Sequence, residues 1–145
     1  MKTSELTGAA LNWAVAKSSN LTEHCVGGDA YIPITLACAA NKYVPSTDWE
    51  QGGPIIEREK ITTLCAEGDY NPSKSGTPDC YDSYWVAEMG RQDLSLSYGS
   101  QGDNYGLSFK IYGNGMQGPT PLIAAMRCLV FSRLGGEVDV PEGLV

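Results

Sequence analysis

From Ser4 to Lys17 apolar residues recur at helical spacing. Leu6, Ala10, Trp13, Ala14 and Lys17 share one face, and Leu11 and Val15 widen the apolar arc. Thr3 or Ser4 supplies a cap, Glu5 suits the positive end of the helix dipole, and Ser18 to Asn20 ends the element. The next apolar run, Ala30 to Leu36, leans towards β, but Pro33 confines it to an edge or an irregular strand. Tyr43 to Pro54 is dense in loop formers yet contains a tryptophan, which predicts a loop ordered by packing. Ile55 to Ile61 is compatible with either a strand or a short helical turn. Asp69 to Asp79, with Pro72, Gly76 and Pro78, reads as a loop for which mobility is expected.

Three later runs, Tyr81–Met89, Leu94–Tyr98 and Tyr105–Tyr112, read as strands, and the short polar link between the last two predicts an antiparallel hairpin. A final helix starts at Thr120 as N-cap and Pro121 as its first residue, and Gly135 suits a left-handed C-terminal stop. Its apolar face is Leu122, Met126, Leu129 and Val130, flanked by Ile123 and Leu134. The predicted fold class is α+β in one domain spanning residues 1–145. It comprises an N-terminal helix, an irregular middle, an antiparallel sheet of about three to four strands, and a C-terminal helix packed on the sheet.

Composition narrows the partners. Ten Lys+Arg against seventeen Asp+Glu give a net charge of −7. The basic residues are scattered, so no stripe exists to release counterions from phosphates, and nucleic acid is not expected as a partner. No stretch approaches the apolar length of a membrane span. The five cysteines, Cys25, Cys38, Cys65, Cys80 and Cys128, include no C-x-x-C pair, and His24 is the sole histidine. No metal site and no cofactor are therefore expected, and the thiols read as reduced and mostly buried in a cytosolic protein.

The sharpest motif is Gly113-Asn114-Gly115-Met116-Gln117-Gly118, a literal G-x-G-x-x-G between a predicted strand and a predicted helix. Pro119 and Pro121 remove two N–H donors where a phosphate would sit, and only ten residues follow Gly135, too few for further βα units. A dinucleotide fold is thereby disfavoured. What remains is a loop whose N–H groups at Gly115, Gln117, Gly118 and Thr120 can hold a carboxylate or a single phosphate. Asp48-Trp49 reads either as a ligand-facing corner or as a packed tryptophan beside a turn-capping acid. Glu57, Arg58 and Glu59 read as a solvated charge cluster. Arg127, at the edge of the last helix's apolar face, either snorkels or pairs with Asp48 or Glu57. No nucleophile constellation, Walker motif or H-E-x-x-H is present, so catalysis is the minority reading.

Pro45 to Glu57 (PSTDWEQGGPIIE) resembles the central block of the phage NinX-like family. Gly118 to Cys128 (GPTPLIAAMRC) resembles its C-terminal block, and Leu6 to Ala16 (LTGAALNWAVA) its first helix. Asn12 departs from the pattern, standing where relatives often carry an acidic residue. The resemblance implies a small accessory protein of lambdoid phages or prophages acting in the host cytoplasm, and it supplies context without a mechanism.

Three functions are weighed. The first is a non-enzymatic binder of a small anionic, nucleotide-derived ligand such as a host defence signal. It uses Ser46, Thr47, Asp48, Trp49, Arg58, Gly118, Thr120 and Arg127 around one pocket, in a homo-oligomer. The second is an acidic module that blocks or redirects a host protein. The third, a nucleotide-processing hydrolase or transferase, rests only on the glycines and scattered carboxylates.

Overall fold

The computed structural model describes residues 1–70, 81–89, 93–98, 105–110 and 115–145. A 3-10 turn at Thr3–Glu5 leads into helix α1 (Gly8–Ser18). A hairpin of β1 (Glu23–Gly27) and β2 (Ala30–Pro33) follows, then α2 (Ile34–Ala39) and α3 (Trp49–Glu59). Strands β3 (Ile61–Tyr70), β4 (Tyr81–Met89), β5 (Asp93–Tyr98), β6 (Tyr105–Lys110) and β7 (Met116–Gly118) precede α4 (Pro121–Leu134). The expected α+β class, with its C-terminal helix on an antiparallel sheet, is what forms.

The sheet under α4 runs β3-β4-β7, all antiparallel, with Ile61 opposite Met89 and Trp85 opposite Gly118. The hairpin expected between the last two predicted strands forms as a separate two-stranded ladder, β5-β6, in which Asp93 faces Lys110 and Tyr98 faces Tyr105. The main core joins Leu6, Leu11 and Val15 from the N-terminal segment to Met126, Leu129 and Val130 of α4, with Ile61, Ala87 and Met116 from the sheet. A second cluster gathers Ala16, Ile34, Ala37, Cys38, Tyr43 and Leu144 on the other side of α1. Flanked by two cores, α1 buries Ala10, Leu11, Asn12, Ala14, Val15, Ala16 and Ser18, well beyond one amphipathic face.

Several expected elements form differently. The N-terminal helix does not run unbroken from Ser4. Thr3 is clasped instead by the chain after α4, its N–H donating to the Gly136 carbonyl (2.9 Å) and its hydroxyl to the Gly135 carbonyl (2.7 Å). Leu6 and Thr7 stay extended, and Gly8 enters α1 at φ +52°, a value glycine adopts without a Cβ penalty. The run Ala30 to Leu36 is strand only as far as Pro33, after which α2 begins. The middle segment is loop only to Asp48. There the Asp48 carboxylate accepts from the Glu50 N–H (2.9 Å) and starts an α-helix that carries Gly52, Gly53 and Pro54 within it. At Gly52 an added Cβ would lie 2.3 Å from the Pro45 carbonyl oxygen and 2.7 Å from Leu122 Cδ2. Glycine is thus required for close packing in a helix that propensity opposes. Asp69 and Tyr70 belong to β3, and the rest of the expected loop to Asp79 lies outside the described residues.

Helix α4 begins as expected, the Thr120 hydroxyl accepting from the Ile123 N–H (3.2 Å) with Pro121 next. Gly135 ends it at φ +87° and ψ −168°, an extended glycine conformation and not the left-handed helical one. No helix among the described residues is long and apolar enough to cross a membrane. Cys38 and Cys128 are buried free thiols, whereas Cys25 and Cys65 are free and exposed, so the thiols are not mostly buried among the four described. Cys80 lies outside the described residues.

Candidate functional site

Where α1 ends, its last carbonyls need donors and its negative dipole end favours a cation. Arg133, in the last turn of α4, supplies both, its Nη1 donating to the Ser18 carbonyl (3.1 Å). That contact draws the C-terminal ends of α1, α3 and α4 together around a cleft of about 580 Å³. The turn after α1 contributes Ser19 and Leu21, β1 contributes His24, and Tyr43 follows α2. Along α3, Glu50, Gln51, Pro54, Ile55, Arg58 and Glu59 form the opposite wall. The volume lies within the roughly 300–1,000 Å³ range of small-molecule sites.

One carboxylate organises the charged end. Glu59 Oε1 accepts from Arg58 Nε (2.9 Å) and Glu59 Oε2 from Arg133 Nη2 (2.5 Å). The Arg58 hydrogen bond, with Arg133 adding to it, holds the Glu59 carboxyl below the usual carboxylate range against the opposing effect of burial. Glu59's side chain is only 11% exposed. The expectation of a solvated Glu57-Arg58-Glu59 cluster therefore fails at Glu59, which α3's helical geometry turns inward to meet α4.

The other end is aromatic. The His24 and Tyr43 rings lie 5.4 Å apart, tilted by 59°. Burial pushes the Tyr43 phenol up to about 12, assisted by Cys38 and opposed by Arg58, so at neutral pH it is a protonated hydrogen-bonding group. Gln51 fixes the neighbouring loop, accepting from the Val44 N–H (2.9 Å) and donating to the Lys42 carbonyl (3.2 Å). Ser19 belongs to the cleft lining, but its Oγ is buried and has no hydrogen-bond partner among the described residues.

Of the eight residues expected to share a pocket, Arg58 lines this cleft. Ser46 is buried beneath α1, its N–H donating to the Asn12 side-chain oxygen (3.1 Å). Thr47 donates to the Val44 carbonyl (3.4 Å), Asp48 caps α3, and Trp49 stands 57% exposed in α3's first turn. Thr120 caps α4. The middle loop and the start of α4 do meet, through Pro45, Gly52 and Leu122, in direct van der Waals contact. Gly118 lies in β7, where an added Cβ would fall 2.6 Å from the Ala124 nitrogen. Gly118, the last glycine of the pattern, thus serves close strand–helix packing, and β7 runs antiparallel to β4. Gly113 and Asn114 lie outside the described residues.

Arg127 departs from both of its expected positions. It neither snorkels nor reaches Asp48 or Glu57. Its Nε donates to the Leu6 carbonyl (2.9 Å) and its Nη1 to the Gln117 carbonyl (2.8 Å), tying the segment before α1 to β7. No sequence pattern marks Arg133, Ser19, His24 or Tyr43 as site residues, and the trace Arg133 leaves in the sequence is a cation in the last turn of a helix.

A family model described as Bacteriophage P22, NinX matches residues 2–93. The chain belongs to the phage P22 NinX family. Membership places it among bacteriophage accessory proteins. The NinX match takes in the first-helix and central blocks that resembled this family, while the C-terminal block lies beyond it. It also covers every residue lining the cleft except Arg133. A search of curated proteins returned no match to the chain.

Proposed function

We propose that this phage accessory protein is a non-enzymatic binder that sequesters a small anionic, nucleotide-derived ligand, such as a host defence signal, in the host cytoplasm. One observation carries the reading: Arg58 and Arg133 converge on the single carboxylate of Glu59 at the wall of a cleft of ligand size. At this end two guanidinium groups face one carboxylate, a local surplus of positive charge on a chain whose net charge is −7, while the second lining carboxylate, Glu50, lies about two turns away along α3. Guanidinium groups match phosphate and carboxylate geometry through paired N–H donors. Leu21, Pro54, Ile55 and the rings of Tyr43 and His24 offer an apolar and aromatic wall. Of the residues expected from the sequence, Arg58 anchors this proposal.

The test is thermal unfolding against nucleotides, cyclic oligonucleotides and NAD-derived metabolites. A ligand at a hundred times its Kd adds about 2.7 kcal/mol of stability. A shift from one class that disappears in the Arg58→Ala/Arg133→Ala double variant supports the reading. A shift that persists in that variant removes it from this cleft.

A second reading, inhibition or redirection of a host protein, draws on Trp49. This exposed aromatic lies between Asp48 and Glu50, an anchor suited to a basic partner. Capture of a host protein that weakens with salt and fails in Trp49→Ala favours it.

A further inference from the structure

We infer that Glu59 is a built-in competitor at the cleft's charged end, so that the site selects doubly charged anions, of the terminal phosphate class, over singly charged ones. The inference rests on the proposed anion-binding reading and specifies its ligand. The Glu59 carboxylate presents two oxygens, each taken by a different guanidinium. A phosphoryl group seated on Arg58 and Arg133 would need those same donors or lie directly beside that charge. An entering anion therefore either displaces Glu59 or binds next to it, and both outcomes work against the ligand.

The charges facing this end come from each wall. Arg58 and Glu59 lie on α3 and Arg133 on α4, while His24 of β1 stands with Tyr43 at the aromatic end. Glu50 lies on α3 about two turns from Arg58, roughly 12 Å along the axis at 1.5 Å per residue. Arg133's Nη1 donates to the Ser18 carbonyl, which holds its guanidinium whether or not Glu59 is present. Glu59 is thus not the sole anchor of Arg133, and removing its charge changes electrostatics more than geometry. With Glu59 retained, the Arg58-Glu59-Arg133 cluster carries a net charge of +1, too little to hold a monoanion firmly near water yet attractive to a dianion.

The experiment titrates the full chain with 5′-AMP, its phosphate methyl ester and adenosine, which carry two, one and no negative charges. Binding is read from the NMR signals of the arginine Nε–H groups, in the wild type and in Glu59→Gln. The wild type is expected to bind AMP at least about tenfold more tightly than the methyl ester. In Glu59→Gln, AMP affinity rises about five- to tenfold and the methyl ester gains enough to narrow the gap. The charge series in the wild type stands even if the variant folds poorly. Equal wild-type affinity for AMP and its ester, or weaker AMP binding by a folded Glu59→Gln, overturns the competitor role while leaving the anion site intact. No AMP-dependent change at Arg58 or Arg133 in either protein overturns the anion site itself and the competitor role with it.

Discussion

Replacing Arg127 with methionine isolates a buried cation that the structure uses as a clasp. Arg127 is 9% exposed, and its two bonded nitrogens reach carbonyls in different parts of the chain, Leu6 before α1 and Gln117 in β7. Burial lowers the pKa of its guanidinium, which marks the cost of placing a charge there. Hydrogen bonds from a charged donor contribute about 1.5–3 kcal/mol each, and a carbonyl left without a partner costs about 1–3 kcal/mol. Methionine fills much of the same volume, relieves the desolvation and strands both carbonyls. The expected net loss is about 2–4 kcal/mol, or a fall in Tm of roughly 6–12 °C for a chain of this size. Urea unfolding followed by far-UV circular dichroism measures it, with an unchanged m-value showing that stability alone has moved. Arg127→Lys is expected to recover less than half, because a single ammonium does not span both carbonyls. A methionine variant within about 0.5 kcal/mol of the wild type would refute the clasp, showing that desolvation cancels the bonds.

Three further outcomes follow from the same structure. Asn12→Ala leaves the buried Ser46 N–H without its acceptor and is expected to cost about 1–3 kcal/mol, while Ser46→Ala removes a buried, unpartnered hydroxyl and is expected to be neutral or slightly stabilising; denaturant midpoints compare them. Gly118→Ala places a Cβ against the backbone of Ala124 and is expected to destabilise by about 3 kcal/mol or more, against tenths for a surface Gly→Ala change, as thermal melts will show. Glu59, whose folded pKa lies below its unfolded value, stabilises the fold above the unfolded carboxylate pKa, and that contribution disappears as pH falls through the folded pKa. Stability measured from pH 7 down to pH 2 is therefore expected to fall less steeply in Glu59→Gln than in the wild type.

What was legible in the sequence is what local chemistry decides. Thr120 and Pro121 start α4 because a hydroxyl cap and a residue lacking an N–H suit a helix N-terminus wherever it lies. Strand β4 and the β5-β6 hairpin follow from alternation and a polar link. Helix α3 was hidden because Gly52, Gly53 and Pro54 argue locally for a loop, and only the fit of Gly52 against Pro45 and Leu122 reverses that preference. Strand β7 is three residues long and borrows its identity from pairing with β4, so no period could announce it. The cleft was hidden for a similar reason. Glu59 and Arg133 are 74 residues apart, and the contact exists only because α1, α3 and α4 end at one place. Arg58 is a ligand-binding candidate from the sequence, but its partner cation, Arg133, is supplied by α4.

The most direct test of the central claim is to locate the bound anion. With a ligand from the thermal screen, or 5′-AMP as the probe, backbone and arginine Nε–H NMR signals map where the protein responds. The account predicts that the largest changes fall at Ser19, His24, Arg58 and Arg133, with Gly118 and Thr120 undisturbed. Changes concentrated at Gly118 and Thr120, with the cleft residues silent, would contradict it.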